Sequence, residues 1–504
     1  MSRSPQLVWF KRDLRVSDHK PLLEAAKRGP CLCLYIYEPE IMALEDFGAG
    51  HLNFINESLQ SLDDALRALG ASLTVKTGSA VDVLQQLHRQ YNFEALYSHE
   101  ETGNMATYRR DIAVKSWTKA IKLPWHEFRQ FGVVRGLKNR DGWSGQWNAM
   151  MRQSVVPSPE RVVNLVSAEP LILKTPDDFQ LEASPFLTPQ RGGSHRAHET
   201  LRSFLGERGE TYQYAMSAPS SAIDACSRLS PYLAYGNISM RTVYQALQFK
   251  RASVRALKTT GRSTSSPWLK SLASFDKRLH WHCHFMQKLE SQPSLEWQNM
   301  ASVYDGLRED EFDASRFEKW CAGETGYPMV DACMRYLRHT GWINFRMRAM
   351  LVSFASYHLW LDWRPTSKFL ATLFLDYEPG IHYSQFQMQS GTTGINSVRI
   401  YSPTKQVVDH DPEGHFIRQW VPELEFVPNK HIAEPSRMSL DEQFAARCMI
   451  GKDYPEPIVN HRHAVNAAKQ RIYTIRRQQD AKSEAKAVFQ RHGSRRGPMA
   501  RRRG

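Results

Sequence analysis

Apolar positions follow two rhythms along this chain. In the first 130 residues the β-forming runs 7–10 and 31–37 are apolar at almost every position, as buried parallel strands require. Between them, residues 21–27 can form a helix. Leu52, Ile55, Leu59, Leu62, Leu66 and Leu69 recur at steps of three and four, one apolar helical face that Gly70 ends. Leu73-Thr74-Val75 reads as a third strand, residues 81–91 as an amphipathic helix and residues 95–98 as a fourth strand. The alternation predicts an α/β domain with a doubly wound parallel sheet over residues 1–135. It contains no GxGxxG and no P-loop, so no dinucleotide or triphosphate site is assigned there.

Pro157, Pro159, Pro170, Pro176, Pro185, Pro189 and the pair Gly192-Gly193 exclude long helices over 157–193, the heart of a connector placed at 136–200. Beyond it the pattern is mostly helical to about residue 380 and rich in tryptophan, and a helical domain is assigned to 201–480. Loops are expected to dominate from Asp376 to Pro435, with helix returning near Leu440. Residues 481–504 read as a basic tail. No internal repeat is visible.

A chain of 504 residues can bury two or three cores, and 41% hydrophobic with 23% charged residues excludes a disordered or fibrous chain. The seven cysteines include no CxxC pair, which argues against a disulfide framework and for a reducing, intracellular compartment. No apolar run is long enough for a membrane span, and no secretory signal opens the chain. The net charge is +14, but from Lys469 onward twelve basic residues face two acidic ones. Only about +4 is left for the rest, so the total charge alone does not argue for nucleic acid. The tail reads as a solvated segment or as a general attractor of polyanions.

Several constellations carry possible chemistry. Ser227, Arg228 and Ser230 precede a helical pattern and read either as caps or as donors to a phosphate. In His280-Trp281-His282-Cys283-His284 the outer histidines share a helix face at i, i+4, which fits a pocket lining or, less well for want of a fourth ligand, zinc. Arg278 adds a donor for an anionic group. Arg346 and Arg348, with Asp376 and Glu378 downstream, fit a buried charged network or plain surface pairing.

Four motifs appear in order across about 420 residues: LVWFKRDLRVSDHKPL, SRLSPYLAYGNIS, ETGYPMVDACMRYLRHTGW and RIYSPTKQVVDHDPEGHFIRQWVPEL. Together they resemble the photolyase/cryptochrome family. The resemblance implies an N-terminal antenna-type domain and a mostly α-helical FAD-binding domain, with a second chromophore of unknown identity in some members. It places FAD contacts at Tyr214, at Cys226, Ser227, Arg228, Leu229 and Ser230, and at Phe275 and Trp342. Further contacts fall at Arg348, Asp376, Tyr377, Glu378 and His382, with Arg348 and Asp376 as an ion pair beside the flavin. In photolyases of the family, reduced excited flavin gives an electron to a pyrimidine dimer flipped out of DNA. By register Trp281 stacks on the lesion, while Arg278, His282, Phe345, Arg346, Met388 and Gln406 line its pocket. The implied activity is blue-light repair of cyclobutane dimers by a deoxyribodipyrimidine photolyase, acting as a monomer on damaged DNA. The alternative is a cryptochrome-type photoreceptor that binds FAD without repair, and a flavin-free derivative is a third.

The departures from the family pattern are as informative. Arg278 replaces a usual glutamate, His282 an arginine, Phe345 an asparagine and His382 the flavin-proximal asparagine. Of three tryptophans in the usual electron chain only Trp363 persists; the other positions read Phe386 and Asp310. Photoreduction is therefore expected to use Tyr383 or Trp360, or to be weak. Phe345 and Ala349 stand where enzymes acting on (6-4) products carry histidines. The iron–sulfur branch needs four cysteines in its C-terminal half, and here only Cys448 lies beyond residue 333. Ala106 and Thr107 replace folate contacts, whereas the RRD at 109–111 matches.

Overall fold

The computed structural model describes residues 4–259 and 267–493. Strands β1 (Gln6–Phe10), β2 (Cys31–Tyr37), β3 (Leu73–Thr77), β4 (Ala95–His99) and β5 (Trp125–Phe128) form one parallel sheet in the order β3-β2-β1-β4-β5. Helices α1 (Lys20–Arg28), α2 (Ala49–Ala68), α3 (Ala80–Tyr91) and α4 (Met105–Ala120) make the crossovers. The sheet is covered on both sides: Leu7, Trp9, Leu32, Leu34 and Ile36 enter one core, Val8, Phe10, Cys33, Tyr35 and Tyr37 the other. That double burial is why the central strands read as continuous apolar runs. Strand order reverses between β1 and β4, and a crevice for a ligand opens at the carboxyl ends of strands at such a point.

The expected connector holds a helix, α5 (Trp143–Arg152), which corrects the reading of 136–200 as linker. Trp143, Trp147, Met150 and Met151 are buried along one face, and the prolines begin only at Pro157. Between 157 and 193 the one helical piece among the described residues is the 3₁₀ turn Pro176–Phe179.

In the second half, five further helices bear on the site: α6 (Trp268–Ser291), α7 (Phe345–Ser353), α8 (Trp363–Leu373), α9 (Pro379–Ser390) and α10 (Gln479–His492). The expectation of loops from Asp376 is overturned by α9. That helix shows no amphipathic stripe because it is buried nearly all round, and His382, Gln387 and Ser390 are bonded to backbone groups. Gln387 donates to the Leu295 and Gln298 carbonyls and accepts from the Met300 amide. Gly380 is needed where α9 crosses α6, since a Cβ there would lie 2.6 Å from Met286 Cα. The basic tail expected from residue 481 is likewise corrected: α10 runs to His492 and buries Ala481, Val488 and His492. The remainder of that tail, from Ser494, lies outside the described residues.

The two halves are joined through the end of β1. Arg12 donates to the Ala234 carbonyl at 2.8 Å and the Tyr377 carbonyl at 2.7 Å. Gly236 sits at φ +68°, and a Cβ there would lie 2.4 Å from the Arg12 carbonyl oxygen, so the contact requires glycine. No helix among the described residues is long and apolar enough to cross a membrane.

Candidate functional site

An ion pair anchors the site. Arg348 on α7 donates from both terminal nitrogens to the two Asp376 oxygens at 2.9 and 3.0 Å, and from Nε to the Ile343 carbonyl at 2.7 Å. Its guanidinium lies 4.2 Å over the Phe374 ring. Burial pushes the Asp376 carboxyl up, but the Arg348 charge and hydrogen bonds, helped by Ser230, outweigh it and hold the carboxyl below its ordinary value. Glu378 behaves oppositely: burial lifts it to about 7 although Arg12 lies 3.7 Å away, and its Oε1 makes no hydrogen bond.

The segment 226–230 stands beside this pair. Arg228 takes a left-handed conformation at φ +57°, held by two 3.0 Å bonds with Gln190, and covers Trp342 at 4.0 Å. Arg208 caps the Cys226 and Ser227 carbonyls at 2.7 and 3.4 Å. Burial pushes the Cys226 thiol up to about 12, against the nearby charges of Arg228, Arg208, Arg278 and Arg348. Of the other expected cofactor contacts, Leu229 and Phe275 are core residues, Phe275 packing 4.8 Å from Phe204. Tyr214 is 61% exposed, at the surface.

His382 on α9 lies 2.8 Å through Nε2 from the Ser367 carbonyl, which can only accept. The proton is therefore on Nε2, and Nδ1 keeps its lone pair, since burial draws the ring down to about 3.

The HWHCH run is split by the helix. His280 accepts from or donates to Ser144 at 3.1 Å and packs edge-on against Trp143, while His284 Nδ1 meets an Arg140 nitrogen at 2.5 Å. His282 packs 5.5 Å from Phe131, and burial, then the Arg12 charge, draws it down to about 4. Trp281 faces solvent at 46% exposure, as does Phe345 at 42%. The Arg278 guanidinium lies 5.3 Å from the Trp281 ring and 5.2 Å from the Phe345 ring, and its charge acts on the Tyr212 hydroxyl. Arg346 Nε and Gln406 Oε1 are buried without hydrogen bonds, and Met388 is half-buried.

The redox candidates divide. Trp363 is buried, donates to Asn299 at 2.7 Å and lies 6.3 Å from Tyr383. Tyr383 donates at 3.2 Å to Asp46, which also accepts from Tyr377. Trp360 lies between the guanidinium groups of Arg308 and Arg471, at 4.5 and 4.8 Å. Phe386 packs 4.6 Å from His382, and Asp310 is exposed.

A second concavity sits at the carboxyl ends of β1, β2 and β4. It is open to solvent and lined by Trp9, Tyr35, Phe47, Arg110, Tyr235 and Tyr377 among others. Arg110 of the RRD is bound to Glu38 at 2.7 Å and to Glu101, and Asp111 to Lys11 at 3.2 Å. Beside it, sequence reasoning missed a buried trio. His19 and His99 meet Asp13 Oδ2 at 2.8 and 2.7 Å. Among the described residues this is the one group with metal-ligand spacing. His19 Nδ1 accepts from the Leu22 amide, and Asp13 Oδ1 from the Lys11 amide, which ties the trio to the backbone. The trio therefore works as a structural knot.

The polar inventory fits a flavin dinucleotide. The Ser227 and Ser230 hydroxyls and Arg228 offer donors. Buried Asn344 Oδ1 and Glu378 Oε1 are acceptors without a protein hydrogen-bond donor. Residues 6–135 match the DNA photolyase family, and residues 275–474 the FAD binding domain of DNA photolyase. A deoxyribodipyrimidine photo-lyase of Alkalihalophilus pseudofirmus is 26% identical, over 91% of this chain and 96% of its own. A cryptochrome DASH of Synechocystis is 27% identical over 92% and 96%. The crystal structure of a bacterial class III photolyase from Agrobacterium tumefaciens superposes with a TM-score of 0.82 at 26% identity, covering 95% of this chain and 99% of that one. With both domains matched in order and the whole fold shared, this chain is a member of the photolyase/cryptochrome family and carries its FAD-binding domain.

Proposed function

We propose that this protein is a blue-light-driven, FAD-dependent photolyase that splits cyclobutane pyrimidine dimers in damaged DNA. The observation that carries the reading is the mouth of the site: two half-exposed aromatic rings, Trp281 and Phe345, flank the Arg278 guanidinium, which shares the neighbourhood of Cys226 with Arg348. Exposed aromatic faces beside a cation accept an unstacked base and its polar edge. Behind them Arg348, Asp376, Cys226–Ser230, Trp342 and His382 would hold FAD, which when bound supplies light absorption and the electron that opens the dimer. Trp281 orients the flipped bases, Arg278 donates to a pyrimidine carbonyl, and Phe345 helps exclude water. The His382 Nδ1 lone pair can accept a hydrogen bond from the ring edge. The concavity at the strand switch point, walled by Trp9, Tyr35 and Tyr235, suits a planar antenna chromophore.

The test is direct. Reduced protein under blue light should restore thymine absorbance to UV-irradiated oligo(dT), single-stranded or duplex, relative to a dark control. No recovery from protein with a reducible flavin would transfer the assignment to the second reading, a cryptochrome-type photoreceptor. That reading draws on Phe386, which interrupts the usual electron chain.

Tyr383 is the better substitute relay. A cation between two guanidinium groups is electrostatically opposed, which disfavours oxidation of Trp360. Oxidised Tyr383 instead can pass its phenol proton to Asp46 Oδ2, with Trp363 next in line. Illumination of the oxidised, FAD-loaded protein should give a tyrosyl radical signal in electron paramagnetic resonance that Tyr383→Phe removes. An identical spectrum in the variant would eliminate Tyr383 as donor.

A further inference from the structure

Beyond the mouth, α6 continues for two turns after Trp281, and His280, His284 and Lys288 succeed each other at i+4 on one face. Lys288 is only 4% exposed. Its neighbours are His284, which meets Arg140, and His492 at the end of α10. Among the described residues the Lys288 ammonium makes no hydrogen bond and no ion pair, and it lies 5.2 Å from the centre of the Phe285 ring. Burial pulls Lys288 down to about 8, so it remains mostly charged at neutral pH. Burial, then the Lys288 charge, holds His284 at about 2 and His492 at about 3.

Among the described residues, the charges that act most strongly on Lys288, His284 and His492 are all basic side chains. The segments outside the described residues cannot supply an acidic side chain either, since 260–266 and 494–504 contain no Asp or Glu. A desolvated ammonium without a counter-charge is costly, and the carbonyl end of α6 offsets only part of that cost. The second feature is His492. Gln292 Oε1 lies 2.7 Å from its Nε2 and can only accept, so the proton is on Nε2 and the buried Nδ1 is an unpartnered acceptor. Arg491 donates to the same Gln292 oxygen at 3.0 Å and fixes its orientation.

We propose that this corner, where α10 meets the end of α6, binds a hydrogen phosphate or phosphomonoester group. The Lys288 ammonium donates to its anionic oxygens, and His492 Nδ1 accepts from its P–OH. A phosphodiester lacks that hydroxyl, so the DNA backbone is not the ligand this chemistry selects. The site is separate from the lesion mouth and does not depend on repair activity.

The test uses the full-length, FAD-loaded protein, titrated with inorganic phosphate by calorimetry at constant ionic strength and neutral pH. Sulfate, without a proton to donate, is the control. A parallel arm compares 5′-phosphorylated with 5′-hydroxyl oligo(dT). Saturable phosphate binding should weaken roughly tenfold or more in Lys288→Met, which should fold well because it removes a buried charge. His492→Leu should still bind but lose the preference for phosphate over sulfate. Binding of free phosphate alone would identify the inorganic ion as ligand. A Lys288-dependent gain from the 5′-phosphate would identify a nucleic-acid end. Equal binding of sulfate and phosphate by the unaltered protein, non-saturable titrations, or an unchanged affinity in Lys288→Met would overturn the proposal.

Discussion

Replacing Asp376 by alanine is expected to give a protein that folds but no longer retains flavin. Arg348 would then keep its place over Phe374 with two of its donors unanswered, inside the helical half. Removing one partner of a buried pair costs on the order of 3–5 kcal/mol, most of it from the charge left behind. Part of that loss falls on the fold and part on the cofactor site, because the Ser230 hydroxyl helps to stabilise the Asp376 charge and would lose that interaction. The ratio of visible flavin absorbance to protein absorbance measures occupancy, and circular dichroism controls for folding. Asp376→Asn separates the causes, since it preserves volume and one acceptor but removes the charge. Full flavin occupancy with an unaltered spectrum in both variants would mean that the pair holds α7 to the 374–376 turn and nothing more.

How much of this was legible depended on whether an element has two different sides. Helix α2 was readable because Leu52, Ile55, Leu59, Leu62 and Leu66 face the sheet while the other side meets solvent. Helix α9 was not, because His382, Phe386 and Gln387 are all buried and its periodicity cancels. Strand β5 escaped notice as a short edge strand, half covered, with Glu127 and His126 in its middle. Chemistry was legible only where it is local. The i, i+4 spacing of His280 and His284 invited a metal, yet the helix delivers them to Trp143, Arg140 and Lys288. In contrast, Asp13 and His99 are 86 residues apart, and Asp46 and Tyr377 are 331 apart. No spacing rule connects such pairs: the first forms because parallel crossovers bring distant strand ends together, the second because the helical half packs on that end of the sheet. For Arg348 and Asp376 spacing left surface pairing open, and family resemblance supplied the reading that the 2.9 and 3.0 Å fork agrees with.

Substituting Trp281 by alanine is the corresponding test at the mouth. Trp281 is about half exposed and packs only one side on its own helix, 6.0 Å from Phe285, so its loss should cost the fold little. A base stacked on it should lose about 1–3 kcal/mol, a weakening of roughly 5- to 150-fold for dimer-containing oligonucleotide. Affinity for intact DNA, which the backbone charge dominates, should hardly change, and flavin occupancy should not change at all. Arg278 then discriminates between two ways of recognising the lesion. If its guanidinium is aimed at a pyrimidine carbonyl, Arg278→Gln should lower lesion affinity without altering the dependence on salt. If it neutralises a phosphate, the slope of log affinity against log salt should fall by about one charge, for damaged and intact DNA alike. Its position beside two aromatic faces argues for the first, because a guanidinium held between rings presents its edge to a planar partner. Equal discrimination of damaged from intact DNA in wild type and Trp281→Ala would remove the aromatic pair from lesion recognition.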